Sequence, residues 1–467
     1  MIRPAPERQV RKASGSKEEP RRHKHDRRQD MKKEMEGGTV RQMHSAGRRA
    51  TLRGLVALGA STVGVQSIRP ASAAARPLKI GYVSPRTGPL APFAETDGFI
   101  LQRVRAAIAN GISVAGNVHP VLIIEKDSQS NPNRAAEVTA SLIKDDKVDL
   151  IVSACTADTV NPVSDQCELG RIPCITTNCP WQPYYFGRGG SPAKGFEYTY
   201  HFCWGLEDLI AVYTAIWDSA GAATNRTVGA LWPNDAEGNA FSDKAFGFPA
   251  ALAAKGYKLI DLGRFQPTAN DFSAHIRAFK AANVEIVTGV LPPAAFATFW
   301  SQAAQQGFKP KIVTFAKALL FPSAVAGLGP RGVGLSTEVA WSPAYPYRST
   351  LTGETSAQFA AAYEAATGRQ WVQPLGATLS LFEVALDVLK RSAALTPQAI
   401  VTSIRTTDYA SAVGPVKWTG SPVKNVTKTP LVGAQWTAGN RHPLDLQIVS
   451  ATLAKDIGVQ KRLAILT

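Results

Sequence analysis

The feature that most constrains the fold is a regular alternation of short apolar runs with amphipathic segments, which begins at Leu78. In the first part of the chain the apolar runs are LKIGYVS, PVLIIEKDS, VDLIVSA and IPCITTN, and the segments between them have the pattern of helices. Short apolar strands separated by helices are typical of β-α-β units, in which helices cover both faces of a parallel sheet. The sequence therefore predicts an α/β protein.

A second block with the same plan follows the segment at residues 181–202. Its apolar runs are TVGALWPN, YKLIDLGRF, VEIVTGV and PKIVTFA, again separated by helical patterns. Two more helices are predicted after Val339, and short strands after Val413. Because 467 residues exceed one ordinary domain, more than one domain is expected, in agreement with two α/β blocks.

The N-terminal arm has the pattern of an export signal. Residues 1–75 carry 17 Lys and Arg against 7 Asp and Glu, so +10 of the net charge of +16 lies there. Arg48 and Arg49 precede the uncharged run Gly54–Val65, and small residues follow it, which predicts a signal peptide cleaved near Ala73–Ala75. The paired arginines indicate the twin-arginine export route, with general secretion as the alternative. The mature protein is therefore predicted to be periplasmic.

The same arm contains the basic cluster RRHKHDRR, a pattern that also binds nucleic acid. The rest of the chain, with 35 Lys and Arg against 29 Asp and Glu, is only weakly basic. Since an export signal accounts for the arm better, no nucleic-acid partner is expected.

Motifs that carry chemistry are scarce in this sequence. Its five cysteines lie between Cys155 and Cys203, with no C-x-x-C pair and no Cys/His spacing for zinc. One disulfide among otherwise buried thiols is expected, and no metal or other cofactor. The motifs G-x-S-x-G and H-E-x-x-H and the phosphate-binding loop do not occur. An enzyme is therefore not expected, and an exported enzyme that uses Asp235 or a cysteine is the alternative.

Hydroxyl and amide side chains follow two neighbouring strands of the first block. Thr156 and Thr159 come after one strand, and Thr176, Thr177 and Asn178 come at the end of the next. In open parallel sheets, ligands bind beyond the carboxyl ends of the strands. These side chains are therefore candidates for binding a ligand, and the alternative is that they only cap helices and turns.

The second block has polar residues at the corresponding edge. Residues 234–239 (NDAEGN) follow its first strand, and Leu291 and Lys317 end two later strands. Asp235 and Glu237 could act as a catalytic acid pair or simply begin a helix. Lys317 could meet a carboxylate in a cleft or lie on the surface as an extended lysine.

An aromatic segment, WQPYYFG, begins at Trp181 on a stretch rich in Pro and Gly. Aromatic side chains in such a loop can form a wall against which a ligand stacks. The alternative is a loop that packs back onto its own domain.

Several segments now identify a family. TGPLA at residues 87–91, the stretch EKDSQSNPNRA, G-x-I-P-x-I-T at residues 170–176 and the turn at residues 235–241 occur in this order. From Leu78 to about Leu446 the chain resembles the substrate-binding proteins of branched-chain amino acid-type ABC transporters. The resemblance implies two Rossmann-like lobes with parallel-sheet cores, joined by three hinge crossovers, which close on a small-molecule ligand.

The resemblance also implies domain limits and partners. Residues 1–75 are the leader, 76–202 with 340–412 form lobe 1, and 203–339 with 413–467 form lobe 2. The crossovers are expected near residues 202–206, 335–339 and 413–418. A monomer that delivers its ligand to an ABC transporter membrane permease is implied, and the alternative is the ligand-sensing subunit of a signalling system. The ligand-contacting positions implied are Phe93, Thr156, Ala157, Asn178, Trp181 and Asn239.

Two positions depart from what the family uses for amino acids. Amino acid binders place a carboxylate near the strand end that here reads Phe315-Ala316-Lys317, and they place an aromatic residue near Leu291. A ligand ammonium beside Lys317 without a compensating acid would be repelled by about 1–4 kcal/mol at 4 Å. The ligand is therefore predicted to be a carboxylate without an amine, preferably aromatic, with Leu291 and Lys317 among its contacts.

Overall fold

The computed structural model describes residues 75–467, so the predicted export signal lies outside the described residues. Seventeen strands are numbered here in chain order. The first nine are β1 (Leu78–Ser84), β2 (Ile112–Val114), β3 (Asn117–His119), β4 (Val121–Asp127), β5 (Leu150–Ala154), β6 (Cys174–Thr177), β7 (Thr199–Phe202), β8 (Thr227–Pro233) and β9 (Lys258–Phe265). The others are β10 (Ile286–Leu291), β11 (Ile312–Lys317), β12 (Ser336–Val339), β13 (Asp408–Ser411), β14 (Gly414–Lys417), β15 (Val426–Thr427), β16 (Val432–Ala438) and β17 (Leu444–Ser450).

The α-helices of this part of the chain are numbered in the same way. The first seven are α1 (Asp97–Ala107), α2 (Pro132–Lys144), α3 (Ala157–Gly170), α4 (Trp181–Phe186), α5 (Leu206–Asp218), α6 (Ala236–Phe241) and α7 (Phe248–Ala254). The others are α8 (Ser273–Ala281), α9 (Pro293–Gln305), α10 (Pro322–Ala326), α11 (Ser356–Thr367), α12 (Pro374–Arg391) and α13 (Pro397–Arg405). Over residues 75–467, no helix has both the length and the apolar character needed to cross a membrane.

The first lobe is built on a parallel sheet with the strand order β15-β7-β6-β5-β1-β4. Every residue of β5, a strand in the middle of this sheet, is buried. Helices α2 and α3 pack together beside the sheet, and the long apolar helix α12 packs against β5 and β6. A fully buried, mostly apolar strand between helical layers is what the sequence pattern predicts.

The second lobe has a seven-stranded sheet with the order β17-β16-β12-β11-β10-β8-β9. The pairs from β9 to β12 are parallel, and β16 and β17 add an antiparallel edge. The prediction of an α/β protein with two lobes and parallel-sheet cores is thereby confirmed.

The chain passes between the two sheets three times. It leaves the first sheet after β7 and enters α5 through residues 203–205, and it returns after β12 through residues 340–355. It crosses again between β15 and β16, through residues 428–431. These three segments are called the crossovers below.

The third crossover was predicted too early in the chain. Val426 and Thr427 pair in parallel with His201 and Phe202 of β7, so they extend the first sheet. The assignment of residues 413–467 as a whole to lobe 2 is therefore wrong for its first part. A strand of two residues has too little pattern to be recognised from the sequence.

A second difference concerns the segment EGNAFSDKAFGFPAALAAKG, which has the pattern of one helix but forms α6 and α7. The Asp243 carboxylate accepts hydrogen bonds from the backbone N–H groups of Ala245 and Phe246 in the turn between them. Gly247 precedes α7, and Pro249 lies in its first turn, where a proline is tolerated. The interruption matters because α6 is the helix that faces the other lobe.

Candidate functional site

A cavity lies between the lobes, beyond the carboxyl ends of β5, β6 and β11. This is the edge at which open parallel sheets bind ligands. Its volume is about 30 Å³. Both lobes and two crossovers line it, and the lining residues are Phe93, Thr156, Asn178, Pro180, Trp204, Glu237, Phe241, Ala316, Lys317, Leu320, Glu338, Ala340, Gln373 and Pro374.

A buried lysine lies at the centre of this site. The Lys317 side chain is 5% exposed, and its Nζ lies 2.6 Å from Glu237 Oε2 and 3.6 Å from Asp235 Oδ2. Across the cleft, the same Nζ lies 3.7 Å from Asp158 Oδ2 at the start of α3. Burial lowers the pKa of Lys317, but the three carboxylates outweigh it and raise that pKa well above its usual value. The lysine is therefore a fixed cation that joins the lobes.

Glu237 completes the link between the lobes. Its Oε1 accepts a hydrogen bond from the backbone N–H of Ala157, the first residue of α3, at 3.1 Å. A carboxylate is stabilised there because the first N–H groups of a helix have no partners within the helix. Burial raises the pKa of Glu237 to about 7, with Asp158 and Asp235 adding to this and Lys317 opposing it. Burial likewise raises the pKa of Asp235.

Two residues that line the cavity have left-handed backbones at matching places in the lobes. Asn178 follows β6 with φ of 81°, and Lys317 ends β11 with φ of 63°. Such conformations are uncommon for residues other than glycine, and they cluster at functional sites. The Asn178 amide Nδ2 is buried and has no hydrogen-bond partner in the described residues. It is a donor that a bound molecule can satisfy.

Aromatic contacts close the cleft around this polar centre. Phe93 of the first lobe meets Phe321 of the second with ring centroids 5.0 Å apart. Phe186 and Phe246 form a second pair between the lobes at 4.9 Å. Aromatic pairs at such distances stabilise the contact beyond the area they bury. The lobes are therefore closed on each other, and the aromatic pairs and the ion cluster both join them.

Residues 77–441 match the sequence model described as "Periplasmic binding protein". The chain belongs to the periplasmic binding protein family. Solute-binding proteins of this family bind small molecules and work with ABC transporter permeases, and membership implies a periplasmic or extracellular location. No match was found among curated protein sequences.

Solved structures of similar fold include the leucine-binding protein LivK from Thermotoga maritima, with a TM-score of 0.65, 17% identity, and coverage of 80% of this chain and 99% of that one. Another is LivJ from Streptococcus pneumoniae in complex with isoleucine, with a TM-score of 0.62 and 15% identity; the match covers 80% of this chain and 99% of LivJ. A third is an ABC transporter solute-binding protein from Rhodopseudomonas palustris in complex with 3,4-dihydroxybenzoic acid. Its TM-score is 0.64 at 17% identity, and the match covers 80% of this chain and 97% of that one. At these identities the likeness shows the fold.

In this periplasmic binding protein, the four threonines at the strand ends have different tasks. Thr176 Oγ1 lies 2.8 Å from His201 Nδ1, and the Thr177 hydroxyl donates to the backbone oxygen of Phe202, so both tie β6 to β7. The Thr159 hydroxyl donates to the backbone oxygen of Thr156. Thr156 alone of the four lines the cavity, where it precedes α3 without a side-chain cap to that helix.

The predicted contacts Phe93, Thr156, Asn178 and Lys317 all line the cavity of the binding protein, and Ala157 lies beside it through its N–H. Their role in binding a ligand stays a prediction. The expectation that no acid compensates Lys317 is wrong, because three carboxylates surround its ammonium.

Asn239 does not face the cavity. It is exposed, and its amide donates to Asn234 Oδ1. On α6, Glu237 and Phe241 are four residues apart and lie on one face, whereas Asn239 is two residues from each and points to the other side. The residue of this turn that enters the cleft is therefore Glu237.

Trp181 and Leu291 also lie outside the lining. Trp181 begins α4, and its indole N–H donates to Glu207 Oε1 at 3.2 Å, while Trp204 forms the cavity wall. Leu291 is 1% exposed in the hydrophobic core. It pairs with Lys317 in the sheet, but only Lys317 has the left-handed backbone that turns its side chain away from the regular strand.

The alternative of an exported enzyme finds no support in the family or in these residues. All five cysteines are free and buried, so the expected disulfide is wrong. Burial raises the pKa of the Cys155 thiol to about 12, which keeps it protonated and weakly nucleophilic. Asp235 caps α6 by accepting from the N–H of Gly238 at 2.7 Å. Among residues 75–467, no group of His, Cys, Asp and Glu side chains is arranged to hold a metal ion.

Proposed function

We propose that this periplasmic binding protein is a receptor that binds a small carboxylate without an amine, preferably an aromatic one, between its lobes and delivers it to an ABC transporter permease. The family and fold support a solute receptor. The charges and donors of the cleft support the choice of ligand.

The observation that carries the proposal is the position of the Glu237 carboxylate. It lies between the Lys317 ammonium and the first N–H of α3, with Thr156 at the same helix start. An arrangement of a cation, a helix N-terminus and a hydroxyl binds carboxylates generally. A ligand carboxylate is therefore expected to take this place and to find a further donor in Asn178 Nδ2.

The same cluster argues against a ligand ammonium at this end of the cavity. The acids that would attract one, Asp158, Asp235 and Glu237, already surround the Lys317 Nζ. A ligand ammonium would have to share these carboxylates with the Lys317 ammonium, which contacts all three, and the direct repulsion between the two cations opposes that sharing. The lysine thus occupies the position that the amine of an amino acid would need.

The volume of the cavity dictates how a ligand enters. About 30 Å³ holds roughly two water molecules, far less than a benzoate. Binding must therefore move Glu237 away from Ala157 and separate the lobes around the ligand. A ligand that contacts both lobes then favours one closed arrangement, which a permease can recognise.

Proteins of this fold bind amino acids as well as aromatic acids without an amine. LivJ from Streptococcus pneumoniae binds isoleucine, and the Rhodopseudomonas palustris protein binds 3,4-dihydroxybenzoic acid. The aromatic walls contributed by Phe93, Trp204 and Phe241 favour a ligand with a ring. The proposed ligand class is therefore supported by this chain's own side chains and not by the fold.

Calorimetry and thermal shift with benzoate, 4-hydroxybenzoate, cinnamate and leucine test the proposal. We expect at least one aromatic acid to bind and to raise the melting temperature, because a ligand at 100 times its Kd stabilises the folded state by about 2.7 kcal/mol. Leucine is expected to have no effect. Tight leucine binding together with no response to any acid would refute the proposal.

Replacing Asn178 by glycine tests the free donor in the cavity. We expect the affinity for the carboxylate to fall about 10- to 100-fold, as a hydrogen bond to a charged group contributes about 1.5–3 kcal/mol. The free energy of unfolding should hardly change, because Asn178 Nδ2 has no hydrogen-bond partner within residues 75–467 and glycine accepts its φ of 81°. Calorimetry and chemical denaturation measure the two quantities.

Asn425→Gly is a matched control, since Asn425 also has a left-handed backbone, with φ of 64°. Its side chain accepts from the N–H of Phe196 and donates to the backbone oxygens of Phe196 and Thr199. This variant should lose stability and keep its affinity. If Asn178→Gly and Asn425→Gly changed affinity and free energy of unfolding in the same way, a ligand-binding role for Asn178 would be contradicted.

A further inference from the structure

Glu338 is a second buried acid in the cavity, and nothing in the sequence pattern singles it out. It lies within β12 of the second lobe, is 2% exposed and lines the cavity. The hydroxyl of Tyr213, on α5, donates to Glu338 Oε2 at 2.5 Å. The Thr337 hydroxyl lies 2.8 Å from the same oxygen and 2.9 Å from the backbone oxygen of Phe315, so these two acceptors share its single proton.

No Lys, Arg or His of residues 75–467 forms an ion pair with Glu338, and both of its donors are neutral hydroxyls. Burial raises its pKa to about 7. A buried carboxyl group is costly unless it is fully hydrogen-bonded, so an acid kept at this position calls for an explanation.

The hydrogen bond with Tyr213 accounts for only one of the two carboxylate oxygens of Glu338. Both hydroxyls contact Oε2, and no side-chain donor of residues 75–467 forms a hydrogen bond with Oε1. The neighbouring polar side chain, Gln373, is fully used: its Nε2 donates to the backbone oxygen of Glu338, and its Oε1 accepts from the N–H of Ala340. Glu338 Oε1 is therefore the open acceptor on this side of the cavity.

We propose that Glu338 accepts a hydrogen bond from a hydroxyl group of the ligand, so that the receptor selects hydroxylated carboxylates. This inference rests on the proposed function, in which the ligand carboxylate binds at Lys317 and α3. The ligand then carries two polar groups, an anionic one at Lys317 and a neutral donor at Glu338, with the aromatic walls around the part between them.

The number of acceptors favours a hydroxyl over an ammonium as the group at Glu338. An ammonium has three N–H donors, whereas a hydroxyl has one. Gln373 and the N–H of Ala340 are already engaged, and Pro374 has no polar side chain, so Glu338 Oε1 is the open side-chain acceptor among these residues. One O–H satisfies that oxygen, and an ammonium would keep buried donors without partners.

The test compares benzoate, 4-hydroxybenzoate, 3-hydroxybenzoate and 4-(aminomethyl)benzoate by calorimetry on the wild-type protein, E338Q and E338L. We expect at least one hydroxybenzoate to bind the wild-type protein about 10- to 100-fold more tightly than benzoate. In E338L the ratio of the affinity for this hydroxybenzoate to the affinity for benzoate should fall to about one, while benzoate still binds. In E338Q the amide oxygen stays with Tyr213 and Thr337, and the nitrogen faces the cavity. The bond to a charged acceptor is then replaced by one between neutral groups, so the ratio of the two affinities should fall, though less than in E338L.

The ratio of the affinities for a hydroxybenzoate and for benzoate is informative, because damage to the fold would weaken the binding of all ligands alike. Equal binding of benzoate and both hydroxybenzoates by the wild-type protein, or a ratio unchanged in the variants, overturns the inference and leaves the proposed function standing. A preference for 4-(aminomethyl)benzoate that disappears in E338Q overturns the choice of a hydroxyl. If none of the acids binds while leucine does, the proposed function itself fails. E338Q is the closer isostere, so it serves if E338L does not fold.

Discussion

Replacing Lys317 by methionine is expected to open the cleft of the unliganded protein and to lower the affinity for a carboxylate by about two orders of magnitude. The methionine fills a similar volume but leaves Asp158, Asp235 and Glu237 without the cation that joins them. Removing one partner of a buried ion pair costs about 3–5 kcal/mol when the remaining charges stay buried. The lost hydrogen bond to the ligand contributes about 1.5–3 kcal/mol.

We expect this cost to appear as separation of the lobes and not as unfolding. Opening the cleft lets water reach the three carboxylates, whereas the two sheets and their helices keep their contacts. Small-angle scattering of the unliganded variant should show a larger radius of gyration than the wild-type protein, with a nearly unchanged unfolding transition in denaturant. Calorimetry with an aromatic acid gives the loss of affinity.

Lys255→Met is the control for this experiment. Lys255 is 46% exposed in its side chain and pairs with Asp218 at 3.5 Å on the surface of the second lobe. An exposed pair of this kind contributes about 0–1 kcal/mol, so neither the radius nor the affinity should change. A Lys317→Met protein that stays closed and binds acids as before would contradict the central role assigned to the lysine.

Affinity for the carboxylate ligand is expected to fall as the pH rises above about 7, and binding at pH 8 should bring up to one proton into the protein. A ligand carboxylate that displaces Glu237 from Ala157 and Lys317 adds a negative charge to a buried site, unless Glu237 becomes neutral. Below its raised pKa of about 7, Glu237 already carries the proton. Above that pH the proton must be taken from solution, which costs up to tenfold in affinity per pH unit.

Calorimetry in two buffers with different protonation enthalpies counts the protons taken up. The charged groups that face Glu237 are Lys317, Asp158, Asp235 and, more weakly, Glu338. The buried thiols of Cys155, Cys179 and Cys203 also lie within electrostatic range of Glu237. In Glu237→Gln the proton uptake and the pH dependence should both disappear. In Glu285→Gln, which changes an acid paired with Lys311 away from the cleft, both should remain. Uptake that persists in Glu237→Gln would show that another carboxyl group takes the proton and would contradict displacement of Glu237.

Much of the architecture follows from short-range pattern. The run LKIGYVS predicts a strand, and β1 begins and ends at the same residues. Asn131 and Pro132 predict the start of α2, where the Asn131 side chain accepts from the N–H groups of Asn133 and Arg134. Apolar periodicity and capping are local properties, so they can be read without knowledge of distant contacts.

The site was only half predictable for a physical reason. Topology brings Thr156, Asn178 and Lys317 to one edge because each ends or follows a strand of a parallel sheet. The choice between Glu237 and Asn239 depends instead on which face of α6 meets the other lobe. Glu338 lies inside a strand and gives no signal of its own, because a buried acid is recognised only by what surrounds it.

By itself the amino-acid sequence determined the alternation of strands and helices, the two lobes and the sheet edge at which a small molecule would bind, since these depend on neighbours along the chain. The tertiary structure alone decided that Lys317 is enclosed by Asp158 and Glu237, which belong to different lobes and lie far from it in sequence. The charge of a site is the sum over groups that folding brings within a few ångströms. No spacing along the chain encodes that sum.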